Sequence, residues 1–189
     1  YLQMREHFYK EETRFEASDM LPFTKIEVGF GEKYSADELY DFRIFVPAGE
    51  IRGKVFKGFK KSCHSLYKFD SSTEKQFAVI LEDDNAVLKW MRPAKKQFNI
   101  WWDKYSRQQY EPDFVVETTD CIYMAEIKMS SEIESEVVQL KAQAGKKYCV
   151  AATDFNAKHG GKPWKYLLIP HDVVKEGIFF DWLARQFEV

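Results

Sequence analysis

The chain has 189 residues, a formal net charge of −2, and 45% hydrophobic and 16% aromatic residues. This length suits one domain, and this composition predicts a packed core instead of a disordered chain. No apolar run reaches the roughly 20 residues that a membrane helix needs and no signal peptide opens the sequence, so we expect no membrane association.

The cysteines indicate the compartment. Cys63, Cys121 and Cys149 are widely spaced and include no CxxC pair. They therefore predict neither a disulfide framework nor a zinc site, and we expect a reducing, cytoplasmic environment. The first residue is Tyr1 instead of methionine, which suggests a fragment of a longer protein.

Two basic stretches interrupt the nearly neutral chain. Residues 51–69 and 85–102 contain no Asp or Glu and interleave Lys and Arg with aromatic residues. Such stretches are candidates for phosphate contacts, and in the first we name Lys57, Lys60 and Lys61. The alternative, favoured for any single lysine, is a solvated basic face over aromatic core residues.

Residues 1–60 carry no recognisable chemistry. Alternating apolar and polar residues predict strands at Phe23–Phe30 and, in part, Tyr40–Val46, and Ile51–Phe59 is a third candidate. We interpret 1–60 as a β-rich lead-in that links to an upstream region outside this chain, and 61–189 as the functional domain.

A helix is predicted to begin after Ser71. Ser71 and Glu74 form a capping-box pattern ahead of Phe77, Ala78 and Leu81. Glu74 shares a helical face with those apolar residues, so its carboxylate is predicted either to cap its own helix or to point inward, where it needs a partner. Both alternatives stay open. Short strands are then predicted at 86–91 and 97–102.

The most informative stretch is Tyr110–Lys128, which predicts two strands joined through Thr118, Thr119 and Asp120. Side chains alternate along a strand, so Glu126 and Lys128 share a face. If the connection has an even number of residues, Asp113 falls directly opposite Glu126. Like charges opposed on a sheet are destabilising, so this register suggests a divalent cation between them. An odd connection would place them on opposite faces.

The rest of the chain predicts an alternation of helices and strands. Ser131 and Glu134 form a second capping-box pattern, and the helix they begin is predicted to end at Gly145. Lys141 on this helix is a candidate phosphate contact, although a lysine extending past apolar neighbours is the simpler interpretation. Next come predicted strands at 148–153 and 164–169, a loop between them, and a closing helix through Phe187 capped by Asp172. The predicted fold class is α/β with a mixed sheet flanked by helices.

Pro112-Asp113, followed on the next strand by Glu126-Ile127-Lys128, resembles the PD-(D/E)XK signature of Mg²⁺-dependent nucleases. A wider stretch, from Val55 to Pro170 and about two thirds of the chain, resembles the C-terminal endonuclease region of the Res subunit of type III restriction-modification enzymes. The segments that carry this resemblance are VFKGFKKSCHSLYKFDSSTEKQFA, VLKWMRP, YEPDFVVET, AEIK and KPWKYLLIP.

This resemblance implies a restriction-endonuclease-like core and phosphodiester hydrolysis with Mg²⁺, for which Mn²⁺ is a possible substitute. Asp113, Glu126 and the carbonyl of Ile127 would bind the metal, Lys128 would position water, and Glu74 matches the helix acid that assists metal binding in the family. The implied partners are double-stranded DNA, an upstream helicase-like motor and a methyltransferase (Mod) subunit.

Other hydrolytic chemistries find no support in the sequence. It contains no GxxxxGK[ST] phosphate loop, no GxSxG elbow and no HExxH motif. Its four histidines are scattered singly, without ligand spacing. Two hypotheses therefore remain: a Mg²⁺-dependent DNA endonuclease domain, or a noncatalytic DNA-binding or docking module that keeps the nuclease fold.

Overall fold

The computed structural model describes residues 39–94, 97–98, 100–103 and 108–189. The strand predicted at Phe23–Phe30 lies outside these residues. The strands are β1 (Leu39–Asp41), β2 (Val55–Lys57), β3 (Val87–Met91), β4 (Ile100–Trp101), β5 (Gln109–Tyr110), β6 (Phe114–Thr118), β7 (Ile122–Lys128) and β8 (Trp164–Pro170). The α-helices are α1 (Ser72–Asp83), α2 (Glu136–His159) and α3 (Phe180–Phe187), and 3-10 helices cover Ala48–Gly53, Ser130–Glu132 and His171–Val173.

A four-stranded mixed sheet in the order β3-β6-β7-β8 forms the centre of the fold. The first two pairings are antiparallel, whereas β7 and β8 are parallel and are joined by α2. The other described strands form two small two-stranded sheets, β1-β2 and β4-β5. The predicted α/β class with a mixed sheet and flanking helices is confirmed.

Helices cover both faces of the central sheet. Phe77 and Leu81 of α1 and Leu183 of α3 pack with Phe114 of β6 in one apolar cluster. On the other face, Val138 and Ala142 of α2 belong to a second cluster, with Val115, Met124, Tyr166 and Leu168. The alternation of apolar residues along β6 and β7 supplies both clusters at once.

The lead-in packs against the domain. Phe42, Ile51 and Phe56, all upstream of residue 60, belong to the same cluster as Phe77 and Trp90. The division at residue 60 stays a prediction, but the described part of the lead-in shares its core with the residues downstream of it. Its structure is also less regular than predicted, because Ala48–Gly53 is a 3-10 helix and β1 ends at Asp41.

Several local predictions hold. The Ser71 side chain caps α1 by accepting a hydrogen bond from the Glu74 backbone. The strands predicted at 86–91 and 164–169 correspond to β3 and β8, and the hairpin corresponds to β6 and β7. At 97–102 the strand is limited to Ile100–Trp101.

The predictions downstream of the hairpin were wrong about both ends of α2, about the strand predicted to follow it and about the cap of the closing helix. Helix α2 begins after Ser135 and continues through Gly145 to Gly160, so the strand predicted at 148–153 is helical. Gly160 ends the helix with a left-handed φ of 72°, which glycine adopts without steric cost. Asp172 lies in a 3-10 helix, and α3 begins after Phe179, which makes no side-chain cap hydrogen bond.

Candidate nuclease site

The hairpin register sets the geometry of the site. Phe114 pairs with Ala125 and Glu117 with Ile122, which leaves Thr118–Cys121 as the connection. Thr118 and Cys121 are themselves joined by a backbone hydrogen bond of 2.9 Å. The connection is therefore even, and extending the ladder by one residue places Asp113 opposite Glu126.

Asp113 immediately precedes β6, and its side chain accepts a hydrogen bond from the backbone of the facing strand β7. Its Oδ2 accepts a hydrogen bond of 2.8 Å from the Ile127 N–H. Burial raises the pKa of Asp113; this hydrogen bond and the positive charge of Lys128 oppose the shift without cancelling it. The folded protein thus holds a carboxylate whose ionised form is disfavoured.

Glu126 is buried at 4% exposure in the middle of the site. Its Oε1 lies 2.5 Å from the Lys128 ammonium, and its Oε2 accepts a hydrogen bond of 2.9 Å from the Tyr110 hydroxyl. Burial raises the pKa of Glu126, the negative charge of Asp113 adds to the shift, and Lys128 and Tyr110 oppose it. One ammonium therefore does not fully neutralise the two carboxylates.

Lys128 is held in its charged form. Burial lowers its pKa, but Glu126 and Asp113 together outweigh burial, and the net pKa of Lys128 lies above its ordinary value. A lysine in this state donates hydrogen bonds and offers positive charge. It is poorly suited to accept a proton while both carboxylates are ionised.

The Ile127 carbonyl is directed toward the same edge of β7 as Asp113. The N–H and C=O of a strand residue face the same neighbouring strand, and the Ile127 N–H donates to Asp113. The main chain at Ile127 therefore offers an oxygen beside the two carboxylates.

Glu74 lies on the other face of the sheet, with α1. It forms an ion pair of 2.7 Å with Arg92, and its Oε2 accepts a hydrogen bond of 2.9 Å from the Asp70 N–H. Burial raises the pKa of Glu74, Arg92 opposes this shift, and the negative charge of Asp113 adds to it. Glu74 is thus near enough to Asp113 to feel its charge, but its carboxylate is bound to Arg92.

Arg92 binds Glu74 on this face of the sheet. Its guanidinium lies over the Phe69 and Phe114 rings, pairs with Asp70 and Glu74, and donates to the Lys68 carbonyl. It also lowers the pKa of Asp113. From the sequence, Arg92 stands out only as part of a basic stretch, because nothing local marks its partner 18 residues away.

Replacing Arg92 with methionine is expected to destabilise the protein in a pH-dependent way. The change leaves Glu74 half-buried without its cation, at a cost of about 1–2 kcal/mol at pH 8. Because the pKa of Glu74 already lies above 4.5 and would rise further, the group is more protonated at pH 5 and the loss is smaller there. Chemical denaturation at both pH values measures the difference.

The exposed pair Arg43–Asp83 supplies the control, since its side chains are 53% and 54% exposed. Arg43→Met should cost less than about 0.5 kcal/mol at either pH. A loss for Arg92→Met that is equal at pH 5 and pH 8 would show that packing on the Phe69 and Phe114 rings, and not the charge of Glu74, explains the effect.

The candidate phosphate contacts lie on several different elements of the fold. Lys60 and Lys61 donate their backbone N–H groups to Glu82, near the C-terminal end of α1, and the Lys61 ammonium bonds to the Asp84 carbonyl. Lys57 lies opposite Asp41 in the strand register of the small β1-β2 sheet. The Lys141 ammonium lies over the Trp102 ring at 5.1 Å. Their role in DNA binding stays a prediction.

Two tyrosines that the sequence pattern did not single out also belong to the site. Tyr110 donates to Glu126 and shares a hydrogen bond of 2.9 Å with the Tyr166 hydroxyl. Tyr110 begins the hairpin stretch. The sequence could not predict which way its side chain points, because an irregular segment separates it from β6. Tyr166 comes from β8, 56 residues away.

The residues present fit a hard divalent cation. The buried Glu126 carboxylate, the partly exposed Asp113 carboxylate and a main-chain carbonyl offer the oxygen ligands that Mg²⁺ prefers. Mg²⁺ commonly uses one or two carboxylates, with water completing its shell. Among the described residues no three His, Cys, Asp or Glu side chains gather around one point. Such a site would use the Asp113–Glu126 pair and the Ile127 carbonyl. Glu74 is bound to Arg92, and its part in metal binding stays a prediction.

Comparison with known proteins identifies no family. No protein-family model and no curated protein matches this chain. Within the described part of the chain, no helix has the length and apolar character needed to cross a membrane. The functional assignment therefore rests on the geometry of the residues and on the resemblance carried by the segments between Val55 and Pro170.

Proposed function

We propose that the chain is a Mg²⁺-dependent DNA endonuclease domain with a restriction-endonuclease-like PD-(D/E)XK core. One observation supports this above all: the register of β6 and β7 sets Asp113 opposite Glu126, with Lys128 on the same face as Glu126. A buried carboxylate that faces a second carboxylate, with one ammonium beside them, is costly unless something else binds there. A cation that also binds a phosphate would supply the missing charge.

Each residue has a distinct role in this proposal. Asp113 and Glu126 bind the metal with the Ile127 carbonyl, and Lys128 orients the attacking water or contacts the phosphate. The bound cation supplies charge neutralisation at the scissile phosphate and makes a water more acidic. Because the pKa of Lys128 is raised, its contribution is positioning and positive charge instead of proton abstraction.

The proposed setting is the cleavage module of a type III restriction-modification enzyme in the cytoplasm. Its substrate is double-stranded DNA, and Mn²⁺ is expected to replace Mg²⁺. The resemblance implies an upstream helicase-like motor and a methyltransferase subunit, which would select the target. The resemblance over Val55–Pro170 is the basis for this setting.

Nicking of supercoiled plasmid tests the proposal. The chain is expected to convert supercoiled DNA to open circles in Mg²⁺ or Mn²⁺ and not in EDTA. Lys128→Ala should slow nicking about 100-fold or more, because it removes the cation that orients the water and the phosphate. Gel electrophoresis of timed samples gives the rates.

Lys165→Ala is the matched control, because Lys165, on neighbouring strand β8, is a more exposed lysine and forms an ion pair with Glu188. It should nick like the parent. If the parent binds DNA and does not nick it even when joined to its upstream motor and methyltransferase, the catalytic proposal is refuted in favour of a noncatalytic DNA-binding module.

A further inference from the structure

A buried pair of tyrosines lies beneath Glu126. Tyr110 is 3% exposed and Tyr166 is 2% exposed. Their hydroxyls are 2.9 Å apart, and the Tyr110 hydroxyl lies 2.9 Å from Glu126 Oε2. The two rings meet edge to face, with centroids 6.3 Å apart.

Each tyrosine hydroxyl has a single proton, and this determines which group donates in each of the two hydrogen bonds. A phenol can donate one hydrogen bond, and the Tyr110 hydroxyl donates its hydrogen bond to the Glu126 carboxylate. Tyr166 must therefore donate to the Tyr110 oxygen. The result is a chain of two donors that ends on one carboxylate oxygen.

The two oxygens of Glu126 thus have different donors. Lys128 binds Oε1 and Tyr110 binds Oε2. These two contacts, from opposite ends of the carboxylate, determine the orientation of its plane. Groups that orient a metal-binding carboxylate typically change metal affinity 10–100-fold when they are removed.

We propose that Tyr110, supported by Tyr166, is a positioning residue that sets the Glu126 carboxylate in the orientation that Mg²⁺ requires. This inference rests on the proposed function, because it takes Glu126 as a metal ligand. Mg²⁺ demands nearly ideal octahedral geometry, whereas Ca²⁺ accepts irregular shells and longer bonds. Loosening Glu126 should therefore weaken Mg²⁺ binding more than Ca²⁺ binding.

Calorimetric titration of the 189-residue chain with Mg²⁺ and with Ca²⁺ tests the proposal. Tyr110→Phe is expected to weaken Mg²⁺ binding about 10-fold while changing Ca²⁺ binding less than about threefold. Tyr123→Phe is the matched control, because Tyr123 lies on β7 but packs against Phe180 on the other face of the sheet; it should bind both ions like the parent.

The double variant Tyr110→Phe/Tyr166→Phe separates positioning from folding. It removes both buried hydroxyls, so no unpaired hydroxyl remains, and only Glu126 Oε2 loses its donor, as it does in Tyr110→Phe. Because Tyr166 acts through Tyr110, the double variant should lose no more Mg²⁺ affinity than Tyr110→Phe alone, with a melting temperature no lower than that of Tyr110→Phe.

The outcomes distinguish this inference from the proposed function. If Asp113→Asn loses Mg²⁺ binding while Tyr110→Phe keeps it, the positioning role is refuted and the metal site stands. Equal weakening of Mg²⁺ and Ca²⁺ in Tyr110→Phe also refutes it, since a general loss of structure would act in that way. A folded parent that binds neither ion refutes the metal site and the positioning role together.

Discussion

Asp113→Asn is expected to abolish Mg²⁺-dependent nicking and to stabilise the metal-free protein. The amide keeps an oxygen that can accept the hydrogen bond from the Ile127 N–H but loses the charge that would bind the cation. We expect the nicking rate to fall at least about a thousandfold, because metal binding and phosphate neutralisation are lost together. Timed plasmid nicking measures this loss.

The gain in stability follows from the electrostatics of the pair. The pKa values of Asp113 and Glu126 are both raised in the folded state, so ionisation of these carboxyls costs stability as the pH rises above their ordinary values. Removing one charge should increase the free energy of unfolding by about 1 kcal/mol at pH 8 and by less at pH 4. Chemical denaturation in EDTA measures the change.

Mg²⁺ should reverse this order of stability. A ligand that binds only the folded state raises its stability, so millimolar Mg²⁺ should raise the melting temperature of the parent and leave Asp113→Asn unchanged. Asp120→Asn, an exposed acid in the turn of the same hairpin, should behave like the parent throughout. An Asp113→Asn protein that still nicks DNA, or that Mg²⁺ still stabilises, would remove Asp113 from the site.

The core of the site was predictable because it is local. Strand alternation and the parity of the Thr118–Cys121 connection decide whether Asp113 faces Glu126, and both are properties of consecutive residues. The same holds for the Ser71 cap, whose hydrogen bond spans three residues.

The surroundings of the site were not predictable, because they depend on residues distant in sequence. Arg92 lies 18 residues from Glu74, and Tyr166 lies 56 residues from Tyr110. Whether Glu74 contacts Arg92 depends on where the end of β3 lies relative to α1. The pattern of residues within each element does not determine this relative position. Each element was predicted, but not the contact between them.

Helix α2 shows how a local rule fails. Gly145 was predicted to end the helix, in which Val137 and Leu140 are large apolar residues. In the structure these two are 49% and 38% exposed, while the buried face consists of Val138, Ala142, Gly145 and Cys149. Glycine weakens a helix, but here the absence of a side chain lets α2 approach the sheet closely. The close approach is needed because the Tyr166 ring of β8 occupies the adjacent space.

Gly145→Ala is expected to be strongly destabilising for this reason. A Cβ at position 145 would lie 2.3 Å from Cε2 and 2.7 Å from Cδ2 of the buried Tyr166 ring. In an exposed helix the same change stabilises by about 1 kcal/mol. Here the overlap requires α2 or Tyr166 to move within a packed core, and we expect a net loss of about 3 kcal/mol. Chemical denaturation measures the loss.

Two further variants connect this loss to the site. Gly49→Ala is the control, because nothing lies within 4 Å of its added Cβ and its backbone has no positive φ; its stability should change little. Gly145→Ala/Tyr166→Leu should recover part of the lost stability, since leucine leaves empty the space that the tyrosine ring occupies.

Because displacing Tyr166 also breaks its hydrogen bond to Tyr110, Gly145→Ala should weaken Mg²⁺ binding at temperatures where the protein remains folded. An alanine variant as stable as the parent would mean that α2 packs farther from β8 than the structure places it, and the contact between Gly145 and the tyrosine pair would then not exist.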